Sequence, residues 1–269
     1  MPSPFRRIAP LGVLVFAVVG CATAPQNPSF KLAATDARKE LREMRESPRA
    51  LQRPVVIVHG LGPPVGSWAI EHELRRVTGD DRIVTVSYDY LGSFEHARRQ
   101  LVDQVERHFP GDDPAETREV DVVAISMGGL VARYAAAPPE GTAGKRLKVA
   151  RLFTISTPHR GAVMAALPAV LGQTQVDLRQ HSPFLQELAD REAKAPPYEV
   201  VPYARLGDCI VGERNAAPEG MTPLWVPNLL LEGSHLLAFS DPRIVGDIAR
   251  RLRSEAPFAT EPAEPLPKG

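Results

Sequence analysis

Ser126 stands where a serine can become a nucleophile. It ends the apolar run Val120-Asp121-Val122-Val123-Ala124-Ile125 and opens Met127-Gly128-Gly129, with Ala124 two residues before it and Gly128 two after. A serine on a sharp strand-to-helix turn holds its hydroxyl clear of the sheet, and the turn is so tight that its neighbours must be small. Ala124 occupies a position where that pattern usually has glycine, adding one methyl group. The plainer alternative is an ordinary turn whose serine caps the following helix. A second run, Val55-Val56-Ile57-Val58, ends in His59-Gly60-Leu61-Gly62. A glycine loop there can aim a backbone N–H at an oxygen that is gaining negative charge, while the residue after the nucleophile supplies another. Leu61 and Met127 are therefore the expected oxyanion donors. The chemistry is attack on a carbonyl carbon, and His59, inside the loop, is expected to be structural.

Such residues need a rigid frame. Val55–Val58, Ile83–Val86, Val120–Ile125 and Val149–Ser156 are β-branched runs without polar alternation, as strands buried on both faces of a parallel sheet require. Helical patterns over 67–77 and 94–109 lie between them, and strand character returns at Tyr198–Leu206 and Trp225–Leu231. Asp241–Leu252 reads as a helix with Pro242 in its first turn. Strands alternating with helices predict an α/β fold whose central, mostly parallel sheet is covered on both faces.

In their order, Val58-His59-Gly60-Leu61-Gly62, Ser126-Met127-Gly128-Gly129 and Ser156-Thr157-Pro158-His159-Arg160-Gly161 resemble the α/β-hydrolase family, within its lipase-like serine esterases. The last segment is similar to the Thr-Pro-His-x-Gly stretch of triacylglycerol lipases and GPI inositol-deacylase-like proteins. The resemblance spans about residues 50–252. It implies a catalytic triad in the chain order nucleophile, acid, histidine. Of the seven histidines, His72, His96 and His108 fall on surface helices, and His159 and His181 precede the plausible acid, which leaves His235 as the base. Asp208, at the end of the 198–206 strand and three residues before Val211, resembles the family's acid. Asp177 and Asp190 lie away from a strand end, and Glu232 is too near His235 along the chain to turn back onto it. The implied activity is hydrolysis of carboxylic esters, lipid esters among them, through an acyl-enzyme on Ser126. An acyltransferase with the same triad, or a scaffold that has kept only the fold, are the alternatives. Substrate identity is not fixed by these motifs.

Residues 161–197 interrupt the alternation. In this position lipase-like proteins carry a lid, and the apolar stretch Gly161–Leu171 suits one; a buried core helix fits the same composition. At the start of the chain, Arg6 and Arg7 precede the apolar run Ile8–Val19, as in a secretory leader. Val18-Val19-Gly20-Cys21 resembles the lipobox of bacterial lipoproteins, which implies loss of residues 1–20 and acylation of Cys21 in the cell envelope, at the outer membrane or its periplasmic face. An ordinary leader is the alternative. Residues 21–49 would form a tether and a first helix, 50–254 the hydrolase domain, and the Pro-, Glu- and Ala-rich 255–269 a disordered tail.

Composition narrows the partners. Lys plus Arg equals Asp plus Glu at 32 each, so the basic footprint of a nucleic-acid binder is missing. Loss of Arg6 and Arg7 would leave 30 basic against 32 acidic side chains, so a membrane hold would rest on acyl chains and not on charge. Cys209 is the one other cysteine, and no zinc-type spacing of Cys and His occurs. No metal or cofactor is expected.

Overall fold

A computed structural model describes residues 25–139, 144–167, 172–195, 197–228 and 233–267. The leader at 1–20, Cys21 and Glu232 lie outside them. The valine- and isoleucine-rich runs form strands β1 (Val55–Val58), β2 (Ile83–Val86), β3 (Val120–Ile125), β4 (Val149–Ile155), β5 (Glu199–Arg205) and β6 (Leu224–Val226). They pair in the order β2-β1-β3-β4-β5-β6, every pairing parallel. The expected α/β sheet is thus observed. From β1 the chain steps to one side for β2 and then to the other for β3. The order reverses between β1 and β3, and open parallel sheets bind ligands in the crevice at such a point.

Helices α1 (Ala34–Glu46), α2 (Val65–Thr78), α3 (Phe94–His108), α4 (Met127–Ala136), α5 (Gln173–Asp177), α6 (Pro183–Glu192), α7 (Ser234–Ala238) and α8 (Pro242–Leu252) surround the sheet. Because side chains alternate across a strand, β1 sends Val56 and Val58 to a core shared with α3 and α4, and Val55 and Ile57 to one shared with α1, α2 and α8. Burying one such side chain contributes roughly 1.5–3 kcal/mol. Local chemistry starts the helices. The Ser93 and Ser182 hydroxyls accept from the His96 and Leu185 amides, and the Asp241 carboxylate accepts from the Arg243 amide ahead of Pro242. Arg253 closes the C-terminal ends of two others, its buried guanidinium donating to the carbonyls of Met44, Ser47 and Val77.

Three sequence expectations need correction. The tail does not fray over its described residues. Ala259 is buried and its amide donates to the Asp247 carboxylate at 2.7 Å, while the Thr260 and Glu264 amides bond the Ser29 carbonyl and hydroxyl. Phe258 lies against Gly246 of α8, where a Cβ would approach its ring to 2.6 Å. Composition could not show this, because the sites that receive the tail lie on α8 and on the opposite terminus. The tether is also held from Asn27 onward: its side-chain amide donates to the Trp225 carbonyl at 2.6 Å, and Phe30 is buried. Nor is the start of the 161–197 insertion a buried core helix. Val163–Ala166 is a single 3-10 turn with Val163 and Met164 exposed, and the later helix α6 packs on α4 through the Arg133–Glu192 ion pair.

Candidate active site

Ser126 follows the last residue of β3 and precedes the first of α4, with φ 51° and ψ −128°, a conformation that L-residues adopt only under constraint. The constraint is visible around it. Its amide donates to the Ile155 carbonyl at 2.8 Å, and its carbonyl accepts from the Thr157 hydroxyl at 2.8 Å. Gly128 runs so close to the β1 loop that a Cβ would collide with the Val58 and His59 carbonyl oxygens. A Cβ on Gly60 would stand 2.9 Å from Cβ of Ser126. Small residues are thus required on both sides of the turn, and Ala124 fits as a fully buried strand residue.

The side chains named from the sequence meet here. His235, in α7, has Nε2 3.1 Å from the Ser126 Oγ and Nδ1 2.8 Å from Oδ2 of Asp208. Asp208 is buried just beyond β5, and its Oδ1 accepts the amides of Ile210 at 3.0 Å and Val211 at 2.9 Å. Burial pushes its carboxyl up, but the hydrogen bond and charge of His235 and the two amides outweigh that and hold it below the ordinary value. A charged, fixed acceptor therefore faces Nδ1, which leaves the Nε2 lone pair toward the serine. Met127 is the first residue of α4, so its N–H has no acceptor within the helix, and Leu61 follows Gly60 at the rim of the same cleft.

The other histidines of the motifs are occupied elsewhere. His59 is buried, its Nδ1 2.7 Å from the Gly60 carbonyl and its ring stacked on Tyr88 at 4.4 Å. Burial lowers its pKa despite the Gly60 bond. His159 lies between the Thr154 hydroxyl at 2.9 Å and the Arg133 guanidinium at 3.1 Å. Burial, followed by the charges of Arg133 and Arg160, keeps it neutral. Thr157 belongs to the third motif, yet the motif alone gives it no part in the site. In the fold its hydroxyl supports the strained serine, and its side chain fills the space beside Gly129.

A cleft of about 620 Å³ opens over Ser126. Leu61, Pro63, Val65 and Ala69 form one wall, Ile210, Leu236 and Phe239 another, and none of its described lining residues is Asp, Glu, Lys or Arg. None of them comes from the described residues of the 161–197 insertion; the greasy inner face comes from the β1–α2 loop, the start of α2, Ile210 after β5, and α7 with Phe239 next to it, while residues 168–171 of the segment expected to form a lid lie outside the described residues. Among the described residues no cluster of His, Cys, Asp and Glu could hold a metal ion.

Comparison with known proteins agrees with the fold. A lipase from Bacillus licheniformis, BlEst2, in its mature form is 17% identical, with a TM-score of 0.50 over 72% of this chain and 90% of that one. In its propeptide form the identity is 18% and the TM-score 0.55, over 81% of this chain and 54% of that one. Likeness at this identity is a likeness of fold. Among curated proteins no match is found. The profile of the alpha/beta hydrolase family matches residues 55–267, from the first strand to the clasped tail. With that match spanning most of its length on an all-parallel sheet, the chain belongs to the alpha/beta hydrolase family.

Proposed function

We propose that this protein is a serine hydrolase that cleaves carboxylic esters with an apolar acyl part, through an acyl-enzyme on Ser126. The observation that carries the reading is the unbroken relay from Asp208 through His235 to Ser126, with contacts of 2.8 and 3.1 Å at the foot of an apolar cleft. His235 Nε2 takes the hydroxyl proton as Oγ bonds to the ester carbonyl carbon, and Asp208 stabilises the imidazolium. The amides of Leu61 and Met127 receive the oxyanion. When the tetrahedral centre collapses, the bond to the alcohol oxygen breaks and Nε2 returns the proton to it. Water, deprotonated by the same nitrogen, then attacks the acyl carbon; the bond to Oγ breaks, Nε2 returns the proton to Oγ, and the carboxylic acid leaves. Acylation of Cys21 would hold this activity at a membrane of the cell envelope.

A fluorophosphonate probe tests the proposal, since it phosphonylates only an activated serine. The wild-type chain is expected to label and Ser126→Ala to remain unlabelled, with turnover of a p-nitrophenyl ester reduced on the order of 10⁶-fold. Ester hydrolysis surviving in Ser126→Ala would overturn the assignment.

A further inference from the structure

Several of the exposed large apolar side chains among the described residues gather at the catalytic cleft. Leu61, Val65, Ile210 and Leu236 all line the catalytic cleft and are all exposed, Val65 to 64% and Leu236 to 61%. Trp68, one helical turn after Val65 and 55% exposed, carries the surface outward on α2, and Leu237 carries it outward on α7. Exposed Met164, whose amide bonds the Ile210 carbonyl at 3.0 Å, extends it on the far side. Contiguous apolar surface of this kind marks a place that meets something other than water.

We infer that this rim is a docking face for a lipid bilayer, on which the domain sits with its cleft opening toward the lipid. Three observations select a bilayer over a protein partner. Four residues of the patch line the cleft itself, so a protein seated on it would plug the route to Ser126, whereas a bilayer offers acyl chains there. An indole at the margin of an apolar face suits the headgroup boundary, where one edge is wet and the other is not. Finally, the chain is short where it leaves the described structure. Asn27 is fastened to Trp225, and five residues separate it from Cys21. If Cys21 carries acyl chains, the domain is held within about 20 Å of the membrane at 3.3–3.6 Å per residue. Ala34, at the start of α1, and Leu237 line one small cavity, so the N-terminal segment comes onto the domain beside the patch. Delivery of an ester from the bilayer to Ser126 rests on the proposed function; the docking itself does not.

Trp68 makes the inference testable, because the other tryptophan, Trp225, is 1% exposed. The full chain is bound to phosphatidylcholine vesicles that contain lipid brominated near the headgroup, a contact quencher of indole. Trp68 emission is expected to shift to the blue and to be quenched, and Trp68→Phe should leave only an unquenched Trp225 signal. Leu237→Asp should lower the ratio of docked to undocked chain by about tenfold, since a charge replaces an apolar contact. It lies outside the cleft lining and should hydrolyse a soluble short-chain ester at the wild-type rate, which also shows that it folds. Ser126→Ala should dock like the wild type, so loss of the serine mechanism and loss of docking read out separately. Vesicle-bound chain with unquenched Trp68, or quenching unchanged in Leu237→Asp, would overturn the inference.

Discussion

Asp208→Asn tests the geometry of the relay more sharply than removal of the serine. The asparagine carbonyl can take the place of Oδ1 and keep the amides of Ile210 and Val211, so the loop after β5 has no reason to unfold. Its NH₂ group must then face His235 Nδ1, where the carboxylate oxygen now stands at 2.8 Å. Two donors cannot share that contact. The imidazole escapes the clash by moving its proton to Nε2, and a protonated Nε2 at 3.1 Å from Ser126 cannot accept the hydroxyl proton. Turnover should therefore fall by about 10⁴-fold, the scale of a wrong tautomer in a triad. The lost charge-assisted bond should cost about 1.5–3 kcal/mol of stability at neutral pH. That stability has a definite pH dependence. The Asp208 carboxyl is held below its ordinary pKa in the fold, so its contribution is complete above the unfolded value and is lost as pH falls through the folded one. The asparagine variant should lack this part of the acid sensitivity. Phosphonylation rate and ester turnover measure the first effect, and thermal unfolding across acidic pH the second. A variant that melts like the wild type at neutral pH and keeps a tenth or more of its turnover would refute the tautomer argument.

Other perturbations probe the frame. Gly128→Ala should destabilise by about 1–3 kcal/mol, because the added methyl pushes the Val58 and His59 carbonyls and with them the Leu61 amide; unfolding and turnover should suffer together. Glu192→Ala leaves Arg133 buried without its carboxylate and should cost about 3 kcal/mol or more in chemical denaturation, with α6 loosened from α4. The Asp80 carboxyl is drawn down to about 2, chiefly by its hydrogen bonds from Arg82, against the effect of burial. Its contribution is therefore present above the ordinary aspartate value of 3.8 and lost as pH falls toward about 2, and Asp80→Asn should flatten the stability profile over that window in an acid titration followed by circular dichroism.

Much of the frame is legible in local pattern. β-branched runs identify the strands because a parallel sheet buries both of its faces, and Ser126 between Ala124 and Gly128 shows its turn because the crowding is local. Thr157 is visible in the sequence but its contribution is not, since the bond to the Ser126 carbonyl joins residues on neighbouring strand ends. The same holds for the cleft wall. Leu61, Leu236 and Phe239 come from opposite ends of the chain, and nothing in their spacing shows that they face one another.

Sequence by itself determined the alternation of strands and helices, the sharp serine turn and the order of the three candidate residues, all of which depend on near neighbours or on motif order. Tertiary structure alone decided that Ser126, Asp208 and His235 touch, that the β1–α2 loop, α2, the loop after β5 and α7 contribute to one apolar cleft, and that a Pro-rich tail lies down on Gly246 and Ser29. Each of these is a contact between segments far apart along the chain. Such contacts depend on which surfaces the packed sheet leaves open, and no local periodicity carries that information.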